Sequence, residues 1–214
     1  ACYLIKIQKA LSRYLGDTQI SLYEYHCYNC NKRLAELICS PNFGLDVSFV
    51  IPVRDPLERW ISAWNWEFSR MSVNHDFLDS HPRIRQSLSL FASCPSHIDA
   101  LLDGDDDAIL LARYGHLCMG HSWYLPPAVA RMIKASQINI ITMDHLERDT
   151  LATINRIRRE YGYETYGSID LPNEKTNYKS SFPDFCFAKI EALSSRQTNF
   201  MRNEFLVPDY RAIN

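Results

Sequence analysis

A chain of 214 residues with 46% hydrophobic residues is long enough to bury a substantial core, and a net charge of −2 at pH 7 excludes the broad positive field of a general nucleic-acid binder. No apolar run approaches the ~20 residues that a bilayer span needs, so no membrane segment is expected and any anion site must be local. Seven cysteines, an odd number scattered along the chain, fit reduced thiols and a cytoplasmic setting better than a disulfide framework.

Taken in chain order, residues 2–7 are short, apolar and β-prone and read as a first strand, followed by a polar loop and a helix over 9–16. Residues 19–25, with Ile20, Leu22, Tyr23 and Tyr25, read as a second strand. Leu34, Leu37 and Ile38 have helical spacing within 31–39. Residues 47–53 form an apolar third strand, and a long helix is expected from Pro56 to about residue 70, with Leu57, Trp60, Ile61 and Trp64 as its apolar stripe. Residues 71–110 are polar and irregular. Their acidic run, Asp103 to Asp107, lacks the ligand spacing of a calcium loop and reads as a solvated loop. Residues 138–143 are a fourth strand and 151–161 an amphipathic helix. A polar loop over 173–180 precedes a last helix, expected from about Pro183 to Glu204. The order β-α-β-α-β-α predicts an α/β fold with a mainly parallel central sheet between helices, as one domain over residues 1–214. In such sheets ligands bind at the carboxyl ends of the strands.

One junction stands out on that basis. The third strand runs into Arg54-Asp55-Pro56-Leu57-Glu58-Arg59-Trp60-Ile61-Ser62-Ala63-Trp64. Asp55 can cap the helix and Pro56 suits its first turn. Free backbone N–H groups and the helix dipole favour an anion there. Arg54 adds a fork of donors matched to phosphate, and Ser62 offers a hydroxyl two turns into the helix. Arg59 reads as a structural ion-pair residue. Trp60 and Trp64 read as core, and Trp66 is left open. Cys27 and Cys30 form a lone C-x-x-C with His26 and Cys39 nearby; structural thiols are the first reading and metal or redox use the second. His116 and His121 lie in a Gly-punctuated, aromatic-rich stretch that lines a pocket or packs structurally. His75, His81, His97 and His145 have no partner pattern and read as surface or capping residues.

The strand followed by Arg-Asp-Pro-x-x-Arg-x-x-Ser-Ala resembles the 3′-phosphate-binding motif of PAPS-dependent sulfotransferases, most closely the carbohydrate (glycosaminoglycan-type) branch. Asp55, Pro56, Arg59 and Ala63 match, and Trp64 stands where the family usually has Tyr. The resemblance implies a three-layer, P-loop NTPase-like sulfotransferase fold in which Arg54 and Ser62 hold the 3′-phosphate of PAPS. The family's 5′-phosphosulfate loop, Pro-Lys-x-Gly-x-Thr-Ser-Leu, finds a weaker counterpart in residues 8–15. There Lys9, Ser12 and Leu15 fit, whereas Gln8, Leu11 and Arg13 replace Pro, Gly and Thr. By that resemblance Lys9 faces the bridging oxygen or 5′-phosphate, with Ser12, Arg13 and Tyr14 around the same group. The ending Phe205 to Tyr210 is also similar to the family's close.

The implied reaction is sulfuryl transfer from PAPS to a hydroxyl acceptor, a carbohydrate or a small metabolite, with no metal. A base is expected at the end of the second strand: His26, whose ordinary pKa lies near neutrality, or else Glu24. Lys179, with Lys175 and Ser180, closes over the nucleotide in the family's manner or lies in a solvated loop. Two rivals stand beside this reading. A P-loop nucleotide kinase fits a parallel sheet but lacks Gly-x-x-x-x-Gly-Lys-Ser/Thr. A relative that binds PAP or PAPS without turnover is kept open by the Gly-poor Lys9 segment.

Overall fold

The computed structural model describes residues 2–22, 36–40, 47–73, 82–91, 93–120, 125, 130–172 and 190–205. The chain gathers into two compact units, each made of two separated segments: Ala1–Arg54 with Ala128–Tyr178, and Asp55–Pro127 with Lys179–Asn214. Helix and sheet are mixed, with helix dominant. No described helix is long and apolar enough to cross a membrane.

The first unit opens on helix α1, Cys2–Leu15. This corrects the expected strand over 2–7 and the phosphate loop after it. The reason lies in the spacing: Ile7, Ala10, Leu11 and Leu15 are buried, while Gln8, Lys9, Ser12 and Arg13 are exposed. That is a 3.6-residue period with no Gly or Pro to interrupt it. The helix ends where Thr18 Oγ1 bonds the carbonyl of Leu15 at 2.5 Å. Residues 20–22, part of the expected second strand, carry no strand structure, and residues 23–25 lie outside the described residues.

Strands β1, Phe49–Val53, and β2, Ile138–Thr142, are as expected, and they pair in parallel with Ile51 opposite Ile140. They form the one sheet among the described residues, and it has two strands. The side-chain amides of Gln137 and Asn139 reach across to the carbonyls of Val47 and Phe49, at 3.0 and 3.4 Å.

A 3₁₀ turn, Met143–His145, leads into a helix that spans Leu146–Glu160 and so starts five residues before the expected boundary. Asp149 explains the early start. Its Oδ2 accepts from both the backbone N–H and the hydroxyl of Thr142, at 3.0 and 2.6 Å, and fastens the first helical turn to the strand end. Ile154 and Ile157 of this helix, Ile141 of β2 and the buried face of α1 share one core with Ile169.

Arg158 knots this unit together. Its guanidinium donates to Asp17 Oδ1 at 2.6 Å and Oδ2 at 3.1 Å, to the Tyr14 carbonyl at 2.9 Å, and to the Glu164 carbonyl. It also lies over the Tyr166 ring, 4.7 Å from the centroid. Tyr14 completes the knot by accepting the Asp170 N–H on its hydroxyl at 2.7 Å.

The second unit is helical. Its elements are α2, Pro56–Val73; α3, Pro82–Leu90; α4, Cys94–Leu102; α5, Asp106–Ala112; and, after a 3₁₀ turn at Ile190–Ala192, the helix Ser195–Phe200 with a π-helical turn at Met201–Phe205. In chain order the helix after β2 is therefore α6 and Ser195–Phe200 is α7. The expected tail helix is broken at residues 193–194 because Ser194 caps α7 in a box with Gln197. Asp105 of the acidic run caps α5, accepting the Ala108 N–H at 2.8 Å, and Asp107 accepts from Ser87 at 3.0 Å. Leu57, Trp60, Ile61 and Trp64 of α2 centre a core with Phe91, Cys94, Ile98, Leu111 and Met201. Burial drives the Cys94 thiol up to about 12, so it packs as a small apolar group.

His97 is a correction. It is fully buried rather than on the surface, stacked on Trp60 at 5.4 Å and tilted against Phe91 at 4.8 Å. Its Nε2–H donates to the Ala108 carbonyl at 2.9 Å, and Nδ1 has no partner among the described residues. Burial holds its pKa below the ordinary 6.5, against the opposing pull of Ala108 and Asp105.

Three outcomes follow from the buried Arg158 and His97. Arg158→Ala lowers the thermal midpoint well below that of the exposed control Arg159→Ala, because it leaves Asp17 and two carbonyls without their donor. The Arg158 bond holds the Asp17 carboxyl below its ordinary 3.8, so its contribution is complete above about pH 4 and is lost as pH falls through the folded-state value. Asp17→Asn therefore flattens the acid limb of a urea-midpoint profile. His97 acts at higher pH: the unfolded chain binds its proton near 6.5 and the folded one only at lower pH, so stability declines as pH drops below about 6.5. His97→Phe removes that slope in urea titrations between pH 7.5 and 5.5.

Candidate functional site

The junction between β1 and α2 is built by a single carboxylate. Asp55 Oδ1 accepts the N–H groups of Leu57 and Glu58, each at 3.0 Å, and the Asp55 carbonyl takes the Arg59 N–H at 2.8 Å. Pro56 has no N–H. The first turn of α2 thus has no unspent backbone donor, which corrects the expectation of free N–H groups for an anion. The side chains around the cap are what the junction has left to offer an anion. Arg54 is partly buried at the end of β1, and Ser62 is exposed on α2. Asp55 Oδ2 has Arg202 Nη2 at 3.6 Å. Trp60 and Trp64 are core, as expected.

A second constellation lies along α2. Glu67 is 4% exposed, and its Oε1 accepts both the backbone N–H of His116 at 2.8 Å and the ring Nδ1–H at 2.5 Å. Arg59, two turns earlier on the helix, donates Nη1 to the carbonyls of His116 and Met119 at 3.2 and 3.0 Å. It was expected to serve as a structural ion-pair residue; the carbonyls are among its partners. Trp66 sets its ring near the imidazole at 6.3 Å with an interplanar angle of 78°. Gly115 makes the approach possible. Its φ is +53°, and a Cβ there would stand 2.5 Å from Glu67 Oε1 and 2.9 Å from Cδ. Cys118 bonds the Gly115 carbonyl at 3.1 Å, and burial raises its pKa.

Chemically this is an oriented imidazole. A carboxylate that only accepts fixes the proton on Nδ1 and leaves the lone pair on Nε2, in a side chain 34% exposed. The sequence reading missed Glu67. The available signal was a carboxylate on the stripe of Arg59 and Ala63, at the edge of an apolar helix face.

Of the other expected site residues, Lys9, Ser12 and Arg13 share one exposed face of α1, at helical i, i+3, i+4 spacing, and Arg13 lies over the Tyr14 ring at 5.3 Å. Tyr14 belongs to the Arg158 knot. Glu24, His26, Cys27, Cys30, His75, His81, His121, Lys175, Lys179 and Ser180 lie outside the described residues. His145 is exposed and Cys39 is an exposed free thiol. No family model, curated protein or solved structure matches the chain.

Gly115→Ala meets both a positive φ and the Glu67 carboxylate, and is expected to cost about 1–3 kcal/mol, read as a drop in urea midpoint. Gly162→Ala, also at positive φ but with nothing within 4 Å of its Cβ, is the control; the difference between the two isolates the Glu67 contact.

Proposed function

We propose that the protein transfers a sulfuryl group from PAPS to a hydroxyl acceptor, a carbohydrate or a small metabolite, within a three-layer sulfotransferase-type fold of which the β1–β2 pair is a part. The observation that carries this reading is a strand that ends at Val53 and passes, through Arg54 and the capping Asp55, directly into a helix with an exposed Ser62. With the first-turn donors spent, the guanidinium of Arg54 and the hydroxyl of Ser62 are the groups assigned to the 3′-phosphate. They anchor the nucleotide away from the reacting centre, so that binding energy positions the sulfur.

Lys9, Ser12 and Arg13 are assigned to the 5′-phosphosulfate as side chains of a helix face, replacing a loop of backbone donors. Lys9 would then oppose the charge that gathers on the leaving phosphate. His26 or Glu24 is the base by the sequence reading, and Lys179 a further nucleotide contact. The unbroken course of α1 favours a second reading, a protein that binds PAP without turnover, because no glycine there lets the backbone wrap a phosphate.

A thermal shift with PAP tests the binding half of both readings. PAP at a hundredfold excess over its dissociation constant adds about 2.7 kcal/mol to the folded state. Arg54→Ala is expected to abolish the shift and Ser62→Ala to reduce it. A shift with ATP and none with PAP overturns the assignment. PAP binding without release of PAP from PAPS selects the second reading.

A further inference from the structure

We propose that His116 Nε2 is the proton acceptor for the attacking hydroxyl, with Glu67 as its positioning residue. The inference rests on the sulfuryl-transfer reading and gives it a base outside the segment where the sequence places one.

Three observations converge. First, the imidazole is held at its inner nitrogen: Glu67 Oε1 takes Nδ1–H at 2.5 Å and the backbone N–H of the same residue at 2.8 Å. The ring can neither spin nor change tautomer without losing a buried bond, and the lone pair stays on Nε2 of a side chain 34% exposed. Second, the peptide carrying it is pinned from both sides. Arg59 holds the carbonyls of His116 and Met119, and Gly115 adopts the left-handed backbone that lets the chain press against the carboxylate. A catalytic side chain needs such support to keep its geometry. Third, the pair hangs from the helix that carries Ser62. Trp66 is one turn beyond Ser62 on the same face, about 5–6 Å away between Cβ atoms, and the Trp66 ring is 6.3 Å from the imidazole. A ribose separates the 3′-phosphate from the 5′-phosphosulfate, so the base and the 3′-phosphate anchor must stand apart yet on one side of the helix. Through Trp66, His116 neighbours the helix face that carries Ser62.

The step balances within the named reactants. His116 Nε2 takes the proton of the acceptor hydroxyl as its oxygen bonds to sulfur. The bond from sulfur to the bridging oxygen breaks, and its electron pair leaves on the 5′-phosphate of PAP. The products are the sulfate ester, PAP and an imidazolium that returns its proton to water.

The test is release of PAP from PAPS by the full chain, with N-acetylglucosamine, p-nitrophenol or water as acceptor, alongside the PAP thermal shift. His116→Ala is expected to lose 10²- to 10⁴-fold in kcat, with KM for PAPS and the PAP shift unchanged, and added imidazole is expected to restore turnover. Glu67→Gln retains both hydrogen bonds sterically, so it folds. It should lower kcat with KM unchanged and remove the far-downfield Nδ1–H proton resonance that so short a bond to a carboxylate gives. Wild-type turnover in His116→Ala, or loss of the PAP shift together with activity, overturns the proposal. So does a fall in turnover that imidazole does not restore. Wild-type protein that binds PAP yet releases none from PAPS overturns this inference alone, and wild-type protein blind to PAP overturns the parent reading with it.

Discussion

The carboxylate of Asp55 constrains everything downstream of β1. It consumes the donors that make a helix N-terminus attractive to anions, and it brings a negative charge to the same point. The phosphate site proposed at this junction therefore draws on side chains rather than on the backbone, with an arginine beside the cap and a serine two turns on in place of the helix dipole. Arg202, at 3.6 Å from the outer oxygen of Asp55, offsets some of the charge that the cap introduces. An exposed pair of this kind contributes little to stability but does reshape the local field.

Once started by that cap, α2 divides its circumference into three jobs, and the 3.6-residue period decides which residue takes which. Leu57, Trp60, Ile61 and Trp64 go into the core. Ser62 and Trp66 share a face that reaches solvent at Ser62. Between the two runs the line of Arg59, Ala63 and Glu67, where the ends of two long polar side chains seize the backbone and ring of the His116 peptide. A one-residue shift in the start of the helix would rotate every one of these residues by about 100°. The precision of the cap is thus transmitted to a histidine far along the sequence.

The parts of this fold that could be read from sequence are those whose signal was complete within a short window. The apolar runs at 49–53 and 138–142 and the Asp-Pro start of α2 each have it. The chain start did not. Residues 2–7 are apolar enough for a strand, and the helical period shows only when Ala10, Leu11 and Leu15 are read with Ile7. His97 was misjudged for want of the same extension: Cys94, His97, Ile98 and Leu101 occupy i, i+3, i+4, i+7, a core pattern in which the histidine takes an apolar position. At the candidate site, Arg54 and Ser62 could be proposed from sequence because their spacing is local. The Glu67–His116 pair was not, because it joins residues 49 apart, and nothing in one sequence links a helical glutamate to a distant Gly-His.

The choice of glutamate at position 67 bears on what that pair is for. An amide oxygen at the same place would accept the same two N–H groups without the cost of burying a charge. Fastening the His116 peptide therefore does not call for a carboxylate. What the carboxylate adds is a fixed negative charge against the imidazole, on the side away from solvent. In the proposed reaction that charge faces the imidazolium formed when the ring takes the acceptor's proton. Arg59, reaching from the same helix stripe, donates to the carbonyls on either side of Cys118, and its charge and that of Glu67 act on the Cys118 thiol in opposite senses. An expensive group has been placed where a neutral one would satisfy the geometry.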